Sequence, residues 1–315
     1  MHAVTIVEKQ LVWQEHDDPV PGVGELLVAV RAAGLNSGDL LQRAGYYPAP
    51  PGSPADIPGL EAAGEVVAVG PGVTAFGVGD RVMAVIGGGG QAEQVVVHER
   101  CALRVPDSMS WAEAGGFAEV FTTAHDALFS QAGLGPGEHL CVHGAAGGVG
   151  VAAVQLGVAA GARVTATVRN ESLRGDVAAL GAEVVDPEGF EEHGPFDVVL
   201  ELIGASNLPA DVASLAIGGR ICVIGVGGGG FRAEVDLLAL MGRRGRIHGS
   251  TLRARPLEEK ARAAALVAHH VLPLVEQGRL RVPVADTFAL RDAAAAYERF
   301  AAGGKFGKVV LLTDD

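Results

Sequence analysis

Aromatic side chains are scarce in this chain of 315 residues, where Phe, Trp and Tyr together make up 5%. A surface that stacks nucleobases needs such rings interleaved with cations, so their scarcity argues against nucleic-acid binding. Cations are in the minority as well. Lys and Arg number 24 against 37 Asp and Glu, for a formal net charge of −13. Neither a nucleic acid nor an anionic membrane is held by that balance without a local basic footprint. Only four of the 24 are Lys, so a pocket for a phosphorylated ligand must be built mainly from Arg. Cysteine is rarer still. Cys101, Cys141 and Cys222 are far apart, and no CxxC pair or Cys/His cluster exists. That excludes a disulfide framework and a structural zinc lobe. Each Cys lies in or beside an apolar run, where a small buried hydrophobe belongs. No uninterrupted apolar run reaches the ~18 residues of a membrane span. Met1–Lys9 also lacks a signal-peptide pattern. The expectation is a soluble cytoplasmic protein with no membrane or nucleic-acid partner.

What is abundant is glycine, 46 residues, in a chain that is 49% apolar. The glycines fall in turns rather than in a fixed period, which suits many tight strand-to-helix connections. Three textures follow one another. Up to about Ser108 the sequence reads as short strands, among them Glu25–Ala32, Gly64–Val69, Asp80–Val85 and Ala92–Val97, separated by Pro/Gly-rich pieces. From about Trp111 to Arg279 strands and helices alternate. The strand-like runs are Leu140–Gly144, Arg163–Val168, Glu183–Asp186, Phe196–Ile203, Arg220–Gly225 and Arg246–Thr251. Helix-like segments such as Val149–Ala160, Ser172–Leu180 and Ala210–Ala216 lie between them. Such alternation implies a parallel sheet covered on both faces, and six strands complete a doubly wound dinucleotide fold. The tail adds a long helix, Glu258–Glu276, a helix at Leu290–Ala302 and a closing strand, Lys308–Leu312, expected to return to the first domain. The domain boundaries expected are 1–110 with 282–315, and 111–281 as an insertion between them.

The most specific motif is His143-Gly144-Ala145-Ala146-Gly147-Gly148-Val149-Gly150, between the apolar run Leu140–Val142 and the helix that Val149 opens. Small residues let the backbone approach a pyrophosphate, and the first amides of the following helix donate to its oxygens. For NAD, an acid is expected at the end of the second strand to bind the ribose 2′-hydroxyl. Here that strand ends Ala166-Thr167-Val168-Arg169-Asn170, with no acid before Glu171. Arg169 suits a 2′-phosphate instead, an ionic hydrogen bond of ~1.5–3 kcal/mol, with Ser172 and Arg174 at hand, and its alternative reading is a solvated surface arginine. NADPH is the cofactor expected. Gly225 and Gly227 follow another strand at the edge where ligands bind in open α/β sheets, and would let the nicotinamide lie against backbone. The run Gly227–Gly230 reads equally well as a flexible loop.

Several motifs in order resemble the zinc-free quinone oxidoreductases of the medium-chain dehydrogenase/reductase superfamily. They are Gly34-Leu35-Asn36-Ser37-Gly38-Asp39, Pro58-Gly59-Leu60-Glu61-Ala62-Ala63-Gly64, Gly79-Asp80-Arg81-Val82, the glycine-rich motif, Gly249-Ser250-Thr251-Leu252-Arg253 and Gly304-Lys305-Phe306-Gly307-Lys308. The resemblance covers essentially the whole chain. It implies an α/β protein with a GroES-like irregular β domain plus a doubly wound Rossmann dinucleotide-binding domain. Where the zinc-dependent relatives carry a metal-binding Cys and a His, this chain has Asn36 and Leu60, so no metal is expected. Without a metal to polarise a carbonyl, hydride transfer suits acceptors that are already electron-poor, such as quinones and enones. Asn36, Asp39 and Tyr47 are the candidate catalytic residues, and Lys308 could reach the cofactor from the closing strand. Asp39 reads equally well as a helix cap, Tyr47 as a packing aromatic, and Glu61 as structural. Gln91 could line the site, and His125 reads as a satisfied core histidine. The expected function is NADPH-dependent reduction of quinones. The alternatives are reduction of α,β-unsaturated carbonyls or NADPH binding without catalysis. An edge strand of the nucleotide domain invites a homodimer.

Overall fold

The computed structural model describes residues 1–228 and 230–313; Gly229, Asp314 and Asp315 lie outside the described residues. Two compact units emerge. One comprises Met1–Thr122, Leu252–Gly303 and the chain from Gly307 onward; the other comprises Thr123–Thr251 and Gly304–Phe306.

The first unit begins with an antiparallel hairpin, β1 (His2–Val7) and β2 (Gln10–Glu15). Strand β3 (Glu25–Gly34) alternates buried and half-buried positions along most of its length, the period-2 signature of a sheet with one packed face. Helix α1 (Ser37–Ala44) follows at once. The Asp39 carboxylate accepts the Asn36 backbone N–H at its start (2.8 Å), and Gly45 ends it in the left-handed region. Strands β4 (Glu61–Val69), β5 (Arg81–Val85), β6 (Gln94–His98) and β7 (Ala102–Arg104) continue the sheet. Helices α2 (Trp111–Gly115) and α3 (Ala118–His125) come next. Leu26, Val28, Val66, Val82 and Val97 form the core between the strands.

In the second unit six strands form one parallel sheet: β8 (His139–Val142), β9 (Arg163–Thr167), β10 (Glu183–Val185), β11 (Phe196–Glu201), β12 (Leu215–Val223) and β13 (Arg246–Gly249). Their order is β10-β9-β8-β11-β12-β13. The chain leaves β8 in one direction and β11 in the other, so the order reverses between those two strands, the switch point where this topology binds ligands. The crossovers are α4 (Gly148–Ala159), α5 (Arg174–Ala178), α6 (Leu208–Ala213) and α7 (Leu237–Arg243). Small residues let α4 lie close to the sheet: a side chain at Gly157 would come within 2.8 Å of Leu140.

The tail belongs to the first unit. It contains α8 (Leu257–His270), α9 (Leu272–Glu276), β14 (Val284–Ala289), α10 (Ala293–Ala301) and β15 (Lys308–Leu312). Strand β15 pairs antiparallel with β3, so the closing strand does return to the first unit as expected. The single helix expected at 258–276 is instead two, because Pro273 has no N–H to continue the ladder and the chain turns at Val271. The hairpin β1–β2 and strand β14 are additional to the expected elements. The unit boundaries also differ from those read in the sequence. Residues 111–122 and 252–281 group with the first unit, since α2 lies against β3 and β4, and α8 against β7.

Arg220 on β12 fixes one end of the parallel sheet. Its five N–H groups go to Ala132 O (2.6 Å), Gly133 O (2.7 Å), Asp197 O (3.2 Å) and both Glu138 oxygens (2.6 and 2.7 Å). The bidentate pair holds the Glu138 carboxyl below its ordinary range. Arg220→Met should therefore lose ~3–5 kcal/mol of unfolding free energy, the cost of stranding a partly buried partner. Urea unfolding followed by circular dichroism measures it, and a loss under ~1 kcal/mol would remove this anchor role.

Candidate functional site

The glycine-rich motif sits at the carboxyl end of β8. Gly144 takes a positive φ (63°) to leave the strand, and Ala145 N–H bonds Thr167 O at the end of β9 (3.3 Å). Val151 N is the first amide to return within α4, to Gly147 O (2.8 Å). The amides of Gly148, Val149 and Gly150 precede that first return bond at the helix N-terminus, where donors and dipole favour an anion. Gly150 admits no side chain, since a Cβ there would lie 2.5 Å from Gly144 O and 2.6 Å from Ala145 Cα. Ala146, Gly147 and Gly148 complete the small-residue turn. At the end of β12, a Cβ on Gly225 would stand 2.3 Å from Leu202 O, so the loops after β11 and β12 approach at backbone distance. Gly227 is exposed, with open space where its side chain would be; of the run 227–230, Gly229 lies outside the described residues. These features fit a dinucleotide.

Arg169 is exposed just past β9. Arg174 is not free to assist, because its Nε donates to Val168 O (3.0 Å) and its guanidinium pairs with Asp186. Ser172 is folded onto Asn170, with its N–H and hydroxyl both on Oδ1.

Beneath the switch point lies a buried polar network that sequence reasoning did not assemble. His143 Nε2 contacts Asp211 Oδ1 (2.8 Å) and its Nδ1 contacts Thr167 Oγ1 (3.1 Å). Glu201, at the end of β11, accepts from the Ile203 and Gly204 amides and from Asn207 Nδ2. Burial works against charge on His143, but the Cys141 sulfur and the Asp211 carboxylate outweigh it and raise the imidazole well above its ordinary range. Burial pushes Glu201 up. His143, Glu201 and Asp211 place ligand-type atoms within 4.8 Å of one another, yet Glu201 is already occupied by three N–H donors. Within the sequence, the sole signal was polar residues ending otherwise apolar strands.

In the first unit, Asn36, Asp39, Glu61 and Lys308 come together. Lys308 is 2% exposed and Glu61 wholly buried. The three ammonium protons go to Leu35 O (2.8 Å), Asn36 Oδ1 (2.7 Å) and Glu61 Oε1 (2.7 Å). Asn36 Nδ2 donates to Glu61 Oε1 (3.0 Å) and Gly34 O (3.2 Å), while Glu61 Oε2 accepts Glu119 N–H (2.9 Å). This corrects two expectations. Lys308 cannot reach a cofactor, because all its donors are spent inside the unit, and the Asn36 amide has no proton left for a substrate. Zinc does not fit here either: Asn36 offers a committed amide, Leu60 no ligand atom, and Glu61 an oxygen already bound to an ammonium. Asp39 is also fully buried, accepting from Asn36 N and from Gly59 N (3.0 Å), which matches the capping reading.

Tyr47 is half-buried in the loop after α1, under the Arg253 guanidinium, which lies 4.8 Å from its ring centroid. Tyr46 is 73% exposed. Gln91 is wholly buried and accepts the Tyr297 hydroxyl (3.0 Å), so it serves the core. His125 is buried against Phe129, as the core reading expects.

Comparison with known proteins agrees with this geometry. The alcohol dehydrogenase GroES-like domain family matches residues 22–131, and the zinc-binding dehydrogenase family matches residues 180–311. A quinone oxidoreductase of Lama guanicoe is 33% identical over 308 residues, covering 93% of this chain and 90% of that protein. The polyketide synthase GfsB of Streptomyces halstedii is 36% identical over 299 residues, 91% of this chain but 5% of that protein. Among solved structures, a mycobacterial protein complexed with NADPH superimposes with a TM-score of 0.89 at 28% identity, covering 99% of this chain and all of that one.

Burial raises the Asp39 carboxyl from 3.8 to about 6, partly offset by its backbone donors and by Lys308. The folded protein thus holds this proton more tightly than the unfolded chain. Its stabilising contribution is full below pH ~4 and lost as pH rises through ~6, ~3 kcal/mol in all. Asp39→Asn lacks that titration. The stability of the wild type minus that of Asp39→Asn should therefore fall between about pH 4 and pH 7, as read by urea unfolding; a difference independent of pH would contradict the assignment.

Proposed function

The chain belongs to the zinc-free quinone oxidoreductase family of the medium-chain dehydrogenase/reductase superfamily, and from that premise we propose that it is an NADPH-dependent reductase of quinones. The observation that carries the reading is the pairing of the glycine-rich turn at the switch point with an exposed Arg169 where an acid would select NAD. When bound, the cofactor supplies a hydride. The chain's own part is to hold the pyrophosphate on the α4 amides, the 2′-phosphate at Arg169, and the nicotinamide beside Gly225 and Gly227. Tyr47 is assigned to the acceptor, with its flat face for a ring and its hydroxyl as proton donor. Asn36, Asp39 and Lys308 shape the floor of the first unit from within.

A second reading, reduction of an α,β-unsaturated carbonyl such as an enoyl thioester, is favoured by the likeness to a stretch of a polyketide synthase. Both acceptors take hydride at carbon or oxygen conjugated to a carbonyl, and both leave an oxyanion that only hydrogen bonds need stabilise. That Cys101, Cys141 and Cys222 are buried and in no disulfide accords with a cytoplasmic enzyme.

We also assign a homodimer. Strand β13 ends the parallel sheet, and the nearby helix α7 exposes Leu237 (67%), Leu238 (78%) and Met241 (71%). An open edge beside apolar side chains suits a second copy. Light scattering at micromolar concentration should give twice the chain mass, and Leu238→Glu with Met241→Glu should give the monomer; a wild-type monomer would end the assignment.

The main test follows oxidation of NADPH and of NADH on adding 1,4-benzoquinone. NADPH should be preferred ~10–100-fold, and Arg169→Ala should remove most of that preference while leaving NADH turnover unchanged. Equal use of both cofactors would discard the role of Arg169. No oxidation with quinone, but oxidation with an enone, would transfer the enzyme to the second reading.

A further inference from the structure

Arg253 follows β13 in the segment that rejoins the first unit, and it is 4% exposed. Its hydrogen bonds run to Gly87 O (2.8 Å, from Nε), Tyr47 O (2.7 Å, from Nη1) and Gln42 Oε1 (2.5 Å, from Nη2). None of these acceptors carries charge. Asp39 and Glu119 act on the guanidinium only through space, and burial lowers its proton affinity despite them. The guanidinium also covers the face of the Tyr47 ring, 4.8 Å from its centroid. A buried cation satisfied by neutral oxygens alone is a costly anchor, since neutral donors could hold three carbonyl-type oxygens without the desolvation of a charge. The arrangement is economical only where negative charge arrives during function.

The loop that Arg253 holds is otherwise tied by its backbone, with the Tyr46 and Tyr47 amides on Leu41 O (2.9 and 3.3 Å) and the Ile6 amide on Asp56 O (2.8 Å). Residues 45–56 form no helix or strand and contain four prolines, Pro48, Pro50, Pro51 and Pro54. Gln42 donates from Nε2 to Ala55 O (3.2 Å) at the far end of the loop. The guanidinium therefore ties the end of α1, Tyr47 and the glycine turn at 87–90 into one piece.

We propose that Arg253 is a positioning residue for Tyr47: it fixes the ring and, as a cation on its face, stabilises the oxyanion left when the phenol gives up its proton. The proposal rests on the reading of Tyr47 given above. In the step concerned, hydride from NADPH reduces the acceptor and leaves it as an anion, a quinol monoanion or an enolate. The Tyr47 O–H bond breaks as a new O–H bond forms on the quinol, or a new C–H bond on the enolate carbon. The electron pair stays on the phenolate oxygen, delocalised into the ring beneath the guanidinium, and solvent returns the proton. A cation on an aromatic face is worth ~2 kcal/mol or more when desolvated, and more still against an anionic ring. With its donors on Gly87 O, Tyr47 O and Gln42 Oε1 and its plane over the Tyr47 ring, Arg253 acts through Tyr47.

The test is a double-mutant cycle in the full-length chain. Arg253→Met, Tyr47→Phe and the double variant are assayed with NADPH and 1,4-benzoquinone, and with 2-cyclohexen-1-one, from about pH 5 to pH 9. NADPH affinity and melting temperature are recorded beside kcat and KM. Tyr47→Phe should lower kcat ~100-fold, in the range of a lost general acid. Arg253→Met should lower kcat ~10–30-fold with NADPH affinity unchanged, and should shift the alkaline limb of the wild-type rate profile to higher pH. In the Tyr47→Phe background the same change should cost less than about twofold. Equal costs in both backgrounds would mean that Arg253 acts through the scaffold, and would overturn the proposal. An unchanged Tyr47→Phe enzyme would instead remove the reading of Tyr47 itself, a separate outcome. If Arg253→Met does not fold, Arg253→Lys completes the cycle: retained charge without the fork should keep the limb near its wild-type position and lose part of kcat, again only where Tyr47 is present.

Discussion

A buried ammonium must find an acceptor for each of its protons, and that demand at Lys308 organises the first unit. Its three partners come from the end of β3, from the residue that opens α1 and from the first residue of β4. One charge thus fixes the closing strand, a helix start and a central strand relative to one another. Glu61 neutralises it and passes the constraint on to the Glu119 amide. A pair this deep contributes little net stability over an apolar replacement, but it tolerates no partial loss. It sets geometry rather than strength. Asn36 lies inside this network, so its amide orientation is dictated by the ion pair and not by a ligand.

The same logic governs the second unit at the other kind of site. The carboxyl ends of β8, β9 and β11 end in His143, Thr167 and Glu201, and Asp211 on α6 joins them. Apolar strands would leave the loops above them to find their own conformation. Glu201 instead gathers the amides of its loop, while His143 locks the first residue before the glycine turn. The loop after β11 and the residue before the glycine turn are thereby fixed before any ligand arrives, which lowers the ordering cost of binding.

The architecture of the second unit was almost fully legible, because buried parallel strands read as short β-branched runs and the glycine turn has few alternative uses. All six strands and the return of β15 were recoverable from pattern alone. Less legible was everything decided by long-range polar pairing. Lys308 is 272 residues from Asn36 in sequence, and nothing local reveals that its charge is consumed indoors. A lysine on a strand next to Gly-rich sequence looks equally suited to a phosphate. Arg253 was similar: an arginine after a strand reads equally as a grip on a cofactor or as a surface cation until Gln42, Tyr47 and Gly87 are seen around it. Pro273 did carry a local signal for the break between α8 and α9, but the apolar periodicity on either side outweighed it.

What the zinc-dependent relatives obtain from a metal, this chain must obtain from fixed hydrogen-bond donors and protein charge. A Zn²⁺ ion polarises a carbonyl before hydride arrives, whereas an ammonium enclosed by three oxygens, like that of Lys308, has no field left to offer a substrate. Arg253, whose acceptors are neutral oxygens, differs from it. Arg253 is 4% exposed, so its charge is little screened, and it lies over the Tyr47 ring. In the proposed role, such a site stabilises charge late, after hydride transfer, and does nothing to activate an inert carbonyl beforehand. It therefore favours acceptors that take hydride readily and then need protonation. On the proposed reading, quinones and enones meet that description, and simple ketones do not.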